Sequence, residues 1–280
     1  MPMNRINLYE YFGVDKKNRS GGYLVSYIHR DRQIFENRVY PAMLIIPGGG
    51  YEYIVERESE PVAMAYLCAG FNTFLLEYST HERYETPLCE AYMAMVFLRE
   101  NAAELGIDDA HIAVVGLSAG GHLAAMLSNM CFEPKPTELL RHKGVSSRPD
   151  AIVLCYPVIT MGEFAHKSSC AIITGGDESL RDKLSMEKAV NRNSPPCFIW
   201  ACADDPKVPL ENTLSYADAY RKIGVPFALH VFHCGGHGLS LASDVTVDYD
   251  EKNEDCRAVS KWFDLSCDWL RWLGFKIIQK

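Results

Sequence analysis

The chain has 280 residues, 48% of them apolar and 23% charged, with a formal net charge of −8. That length can bury a large α/β core, and the acidic balance argues against nucleic acid or an anionic membrane surface as a partner. No run of about 18 apolar residues occurs, so no membrane-spanning helix is expected.

Residues 1–20 carry Arg5, Glu10, Asp15, Lys16, Lys17 and Arg19 and lack the apolar stretch of a secretory signal, which makes a cytoplasmic location the expectation. Ten cysteines are present. Cys68, Cys155, Cys197 and Cys234 sit inside apolar runs and read as small, reduced core residues. There is no Cys-x-x-Cys and no zinc-like cluster, so neither a metal nor a disulfide framework is expected.

Along the chain, β-rich runs over 23–29 and 39–46 come first, and Gly48-Gly49-Gly50 then breaks the pattern. Residues 61–69 fit a helix stopped by Gly70, and 71–78 fit a strand. Leu88, Ala91, Met95, Leu98, Ala102 and Leu105 recur at steps of three and four, which predicts one helix with a continuous buried stripe. Apolar runs over 112–115, 151–155, 198–201 and 227–232 fit buried parallel strands. Leu210, Leu214, Ala217 and Arg221 mark a helix between the last two. A final helix over 257–273 carries Val259, Trp262, Phe263, Trp269 and Leu273.

This alternation predicts a mostly parallel sheet with helices on both faces. No composition break divides residues 1–280, so a single domain is expected. The least regular stretch, 158–196, reads as an insertion over the sheet's C-terminal edge.

Gly116-Leu117-Ser118-Ala119-Gly120 lies between the strand over 112–115 and a helix-forming run. Gly-x-Ser-x-Gly in that setting is the nucleophile-elbow pattern, in which small residues flank a turn so sharp that the serine oxygen is lifted clear of the sheet. A serine hydroxyl is a poor nucleophile at neutral pH and needs a base, which a third group must orient. The elbow pattern requires an acid and then a histidine further along the chain. After the strand over 198–201 comes Asp204-Asp205-Pro206-Lys207-Val208-Pro209. After the strand over 227–232 comes Cys234-Gly235-Gly236-His237-Gly238. Pro47-Gly48-Gly49-Gly50-Tyr51 follows an early strand, where Gly49 and Gly50 N–H groups, with that of Ala119, fit an oxyanion hole. A phosphate cradle is the other use of such a run, but no Lys-Ser/Thr opens a helix after it.

These segments resemble the α/β-hydrolase family of acetyl-xylan and feruloyl-type carboxylesterases, close to the hormone-sensitive-lipase-like group. The likeness rests on Pro47 to Tyr51, Glu60-Pro61-Val62-Ala63, Gly116 to Leu123, Tyr156-Pro157-Val158-Ile159, Ala203-Asp204-Asp205 with Val208-Pro209, and Gly236-His237-Gly238-Leu239. It runs in order through nearly the whole chain. The resemblance implies an α/β-hydrolase fold, with Ser118 as nucleophile, Asp205 as acid and His237 as base, and no metal or organic cofactor. It selects Asp205 over Asp204 because the family's acid stands three residues before the Val-Pro pair. Asp204 is then a turn or cap residue. Where the family has a His-Thr pair before Ala-Asp-Asp, this chain has Ala201-Cys202 and lacks any support from that histidine.

His122 reads as a packing residue at the helix start, and His81 and His166 as solvated loop histidines that could border the site. Glu56, Arg57, Glu58 and Glu60 read as a solvated helix face, with sugar binding as the alternative. Trp200, Trp262, Trp269 and Trp272 read as core. The expected function is a serine carboxylesterase that removes acetyl groups from small sugar-derived esters, including xylo-oligosaccharides. An aryl-formamidase or small peptidase using the same triad, and a non-catalytic receptor, are the alternatives. Ile6, Leu8, Tyr9, Tyr11 and Phe12 can dock on the same chain or on a second copy, which leaves a homo-oligomer open.

Overall fold

A computed structural model describes residues 4–29, 38–130, 145–247 and 257–277. Eight strands form one sheet in the order β1-β2-β4-β3-β5-β6-β7-β8. They are β1 (Asn4–Asn7), β2 (Tyr23–Tyr27), β3 (Tyr40–Ile46), β4 (Asn72–Glu77), β5 (Ile107–Leu117), β6 (Ala151–Cys155), β7 (Cys197–Cys202) and β8 (Phe227–Phe232). β2 runs antiparallel to both β1 and β4, and every other pairing is parallel.

The helices are α1 (Leu8–Phe12), α2 (Glu60–Cys68), α3 (Glu85–Glu100), α4 (Ala102–Leu105), α5 (Ala119–Asn129), α6 (Lys167–Thr174), α7 (Arg181–Leu184), α8 (Met186–Ala189), α9 (Glu211–Ile223) and α10 (Lys261–Trp272).

The central strands are apolar on both sides because helices cover both faces. Leu44, Ile46, Val114, Ile152, Leu154 and Ile199 face one core with Leu88 of α3, Leu123 of α5 and Tyr216 of α9. Their sequence neighbours Met43, Ile45, Val115, Val153, Phe198 and Trp200 face a second core with Tyr66 of α2 and Trp262 and Leu270 of α10. This two-residue alternation distributes a nearly continuous apolar run between two layers. The loops at the carboxyl ends of the parallel strands thereby gather at one edge, where open α/β sheets place their sites.

Several expectations need correction. The helix expected through Leu105 breaks at Asn101, whose side chain donates to Phe97 O at 2.8 Å and competes with the helical ladder. No residue of α4 is fully buried, and Ala102 and Leu105 only half-bury against the core that Leu98 enters completely. Residues 158–196 are more regular than expected, holding α6, α7, α8 and the 3-10 turn Glu178–Leu180, with Met161, Ile173, Leu184 and Met186 in the core.

The N-terminal segment docks on its own chain. Leu8 and Tyr9 are buried, and Tyr9 OH donates to Glu90 Oε1 at 2.7 Å. Cys68 is exposed at the last residue of α2, and Cys234 is half-buried. None of the eight described cysteines is joined in a disulfide. Trp200 and Trp262 are core, but Trp272 lies 69% exposed on the outer face of α10, stacked on Trp269. No helix among the described residues is long and apolar enough to cross a membrane.

Candidate active site

The elbow is built by steric exclusion. Ser118 sits between β5 and α5 at φ 52°, a left-handed conformation that costs a side-chain-bearing residue energy. A Cβ at Gly116 would lie 2.5 Å from Gly120 O, and one at Gly120 would lie 2.1 Å from Ile46 O. Neither position admits a side chain, so glycine two residues before and two after Ser118 is required by contact rather than by flexibility alone. The carbonyl of Ser118 accepts N–H bonds from Gly121 and Val158, both at 3.0 Å, which locks the turn.

Ser118 Oγ lies 2.8 Å from His237 Nε2, and His237 Nδ1 lies 2.6 Å from Asp205 Oδ2. Asp205 is buried at the end of β7, where its Oδ1 accepts from Lys207 N and Val208 N at 2.9 Å each. A carboxylate oxygen accepts, so the bridging proton belongs to His237 Nδ1. The lone pair of Nε2 then faces Ser118, and the serine hydroxyl donates to it.

Gly48 packs against the elbow, where its Cβ would stand 2.8 Å from Ser118 Cβ. Beyond it, Gly49 (φ 123°) and Gly50 (φ 66°) turn the chain in conformations that suit glycine. Among the described residues, the N–H groups of Gly49, Gly50 and Ala119 donate to no protein acceptor.

Asp204 does more than cap a turn. Its carboxylate accepts from Gly236 N at 2.9 Å and Gly235 N at 3.2 Å, clamping the loop that carries His237. Cys202, at the position where the family's threonine would stand, packs under the same loop, with its sulfur 2.9 Å from where a Gly235 Cβ would be.

His122 is fully buried and bridges Tyr51 OH and Leu184 O, each at 2.8 Å. The carbonyl can only accept, so Nε2 carries the proton and Nδ1 accepts from Tyr51. Burial pulls its pKa down to about 4, which keeps the ring neutral.

His166 is half-buried, with Cε1 3.7 Å from a Gly50 Cβ position, so it borders the glycine loop rather than standing in solvent. Desolvation lowers its pKa, assisted by nearby His237. His81 is exposed and donates its N–H to Tyr51 O at 2.8 Å.

Glu56, Arg57 and Glu60 are exposed as expected, but Glu58 is buried. The 3-10 turn Glu56–Glu58 swings it inward, where its Oε2 accepts from Gly48 N at 2.8 Å and its Oε1 from Tyr156 OH at 2.9 Å. Desolvation raises its pKa, opposed by those two hydrogen bonds and by His237 and Arg57. Nothing in the local sequence separates Glu58 from its solvated neighbours. A surface cavity of about 920 Å³, lined by Arg5, Tyr27, Glu56, Arg57, Glu60 and Tyr78 among others, lies beside this turn, and none of Ser118, Asp205 or His237 lines it.

The sheet order and the strand–turn–helix at Ser118 are those of the α/β-hydrolase fold. The model of the BD-FAE family matches residues 32–219, about two thirds of the chain, and the chain belongs to that family. The match takes in Gly48 to Gly50, Ser118 and Asp205, and ends before His237.

Among solved structures, an acetyl ester-xyloside bifunctional hydrolase from Caldicellulosiruptor lactoaceticus is 35% identical with a TM-score of 0.82, over 97% of both chains. A carboxylesterase from Lactobacillus plantarum is 26% identical with a TM-score of 0.83, over 100% of both. Endo-1,4-beta-xylanase B of Butyrivibrio fibrisolvens is 37% identical over 79% of this chain and 35% of its own length. The acetylxylan esterase of Xylanibacter ruminicola is 30% identical over 74% of this chain and 43% of its own. The chain thus spans less than half the length of these two curated relatives.

Proposed function

We propose that the chain is a serine carboxylesterase that releases acetyl groups from small sugar-derived esters, acetylated xylo-oligosaccharides among them. The observation that carries this reading is the unbroken relay from Ser118 Oγ to His237 Nε2 at 2.8 Å and from His237 Nδ1 to Asp205 at 2.6 Å. The chain's similarity to an acetylxylan esterase and to an acetyl ester-xyloside bifunctional hydrolase supports the substrate class.

In this reading Ser118 Oγ attacks the ester carbonyl carbon as its proton passes to His237 Nε2. Asp205 holds the ring and favours the imidazolium. Charge builds on the former carbonyl oxygen and is met by the N–H groups of Gly49, Gly50 and Ala119, each such donor contributing about 2.7–4 kcal/mol to the transition state. His237 then gives its proton to the departing sugar oxygen, leaving an acetyl-Ser118 ester. Water, deprotonated by His237, attacks that ester, and His237 returns the proton to Ser118 Oγ as the acyl C–O bond breaks and acetate leaves. No cofactor enters the scheme. The same reading makes the chain one catalytic domain working in the cytoplasm.

The wild-type chain is expected to deacetylate xylo-oligosaccharides and short p-nitrophenyl esters and to take a fluorophosphonate label. Ser118→Ala is expected to lose the label and about 10⁵- to 10⁶-fold in kcat. Labelling that persists in Ser118→Ala would overturn the nucleophile. Preference for N-formylkynurenine or dipeptide anilides over the acetyl esters would overturn the substrate class.

A further inference from the structure

Four residues other than glycine hold left-handed backbone around the site: Tyr51 (φ 66°), Ser118 (φ 52°), Tyr156 (φ 38°) and Ser240 (φ 53°). Strain of this kind persists only where surrounding contacts over-determine it. Two of the four, Tyr156 and Ser240, belong to one hydrogen-bond chain centred on Glu58. Tyr156 OH accepts from Ser240 N at 2.9 Å, so its own hydrogen goes to Glu58 Oε1. Glu58 Oε2 takes the N–H of Gly48, at the start of the glycine loop. Ser240 Oγ donates to Arg57 O at 2.6 Å, and Trp262 Nε1 donates to Ser240 O at 2.9 Å, closing the chain on both sides. The Tyr156 ring also stands edge-on to the His237 ring, with centroids 5.0 Å apart.

Both oxygens of Glu58 therefore receive a hydrogen, an arrangement that suits the carboxylate form, because a proton on either oxygen would face a donor. The buried charge interacts with His237 across the low-dielectric space between the loops.

We propose that Glu58 is a positioning residue of the esterase reaction. Through Gly48 N–H and Tyr156 OH it fixes the glycine loop relative to the histidine loop, and its charge favours the imidazolium that His237 becomes when Ser118 attacks. This inference rests on the Ser118–His237–Asp205 reading above.

The test compares wild type, Glu58→Gln, Tyr156→Phe and the double variant on p-nitrophenyl acetate, with competent sites counted by fluorophosphonate titration. Glu58→Gln is expected to lower kcat per competent site about 10- to 100-fold, as a small misplacement of reacting groups does, with KM little changed. Its acidic limb in the kcat/KM profile is expected to move to lower pH. The groups facing Glu58 are Arg57, Tyr78, Cys155, Tyr156 and His237. Those facing His237 also include Asp205 and His166. Glu58→Gln removes only the Glu58 charge from this set. Tyr156→Phe keeps that charge and is expected to lose kcat while leaving the limb in place. The double variant should be no worse than the worse single variant, since the two side chains act as one unit.

An active wild type whose Glu58→Gln variant keeps kcat per site within about twofold and an unmoved limb overturns this inference alone. A wild type that hydrolyses no acetyl ester overturns the esterase reading and this inference together.

Discussion

At the serine end of the site, Cβ atoms at Gly116, Gly120 and Gly121 would meet other atoms at 2.5, 2.1 and 2.6 Å. At the histidine end, a Cβ at Gly235 would meet the side chains of Leu239 and Cys202 at 2.8 and 2.9 Å, one at Gly236 would meet nothing within 4 Å, and the loop is also held by the Asp204 carboxylate and by Ser240 N on Tyr156 OH. Ser118 is thus held mostly against backbone that cannot retreat, and His237 by polar attachments and by side chains that can. Packing of the first kind is hard to perturb without unfolding the turn. Hydrogen-bonded attachment of the second kind can be cut one bond at a time while the fold stands. The difference teaches where stability and activity should come apart.

The widest separation is expected from Gly120→Ala. Its Cβ would press on the backbone oxygens of Ile46 and Pro47, which have no rotamer to retreat into. A loss of at least about 3 kcal/mol is expected, read as a lowered urea midpoint or loss of folded protein. A variant that stays as stable as wild type would break the steric account of the elbow.

Asp204→Ala probes the other end. It frees the N–H groups of buried Gly235 and half-buried Gly236, so unfolding free energy should fall by about 1–3 kcal/mol. The esterase rate should fall about 10-fold or more as His237 loses its fixed approach. Equal losses of stability and rate in both variants would erase the comparison.

A pH dependence is expected at the serine end. His122 is held neutral in the fold with its pKa near 4, against an ordinary 6.5. Below pH 6.5 the unfolded chain takes up a proton that the folded chain refuses until about pH 4. The stabilising contribution is therefore complete above pH 6.5 and is lost as pH falls toward 4, by about 3 kcal/mol at most. Glu58 and Glu90 carry raised pKa values and work in the opposite sense, their burial penalty relaxing on acidification. The difference between wild type and His122→Gln in urea unfolding at pH 7 and pH 4.5 isolates the His122 contribution. An unchanged difference at the two pH values would show that His122 titrates normally.

The features legible in the sequence are those whose cause is local in the chain. The Gly-x-Ser-x-Gly spacing can be read locally, since Gly116 is demanded by Gly120 and Ala124 within the same turn, although Gly120 answers to Ile46 and Pro47 across the sheet; the strands over 112–115, 151–155 and 198–201 announce themselves because both of their faces are buried. The Asp204-Asp205 pair and His237 are candidates because each follows a strand whose carboxyl end reaches the same edge, while the choice of Asp205 over Asp204 rests on the family resemblance.

Glu58 could not be located in that way. Glu56, Arg57, Glu58, Ser59 and Glu60 are polar without interruption, and only the tertiary fit of a single 3-10 turn sends one carboxylate inward. Asn101 hid for a related reason, because apolar spacing continues past it and the break comes from its own side chain bonding Phe97 O. Asp204 and Asp205 share one turn and one residue type. Their division of labour, one holding the histidine loop and the other the imidazole, depends on which way each side chain leaves the backbone.

The contact between His122 and Leu184 bears on how readily the stretch 158–196 can be exchanged. Leu184 ends α7, within the stretch between β6 and β7, and its carbonyl receives the single proton of a buried ring whose other nitrogen is occupied by Tyr51 beside the glycine loop. A foreign segment grafted over 158–196 would inherit that proton as a debt. Without a carbonyl in the same place, the buried donor stands unpaired at a cost of about 1–3 kcal/mol, and Tyr51 is free to shift with it. Transplants that retain an acceptor at Leu184 should leave the catalytic edge intact, and those that omit it should disturb the glycine loop without touching any residue there.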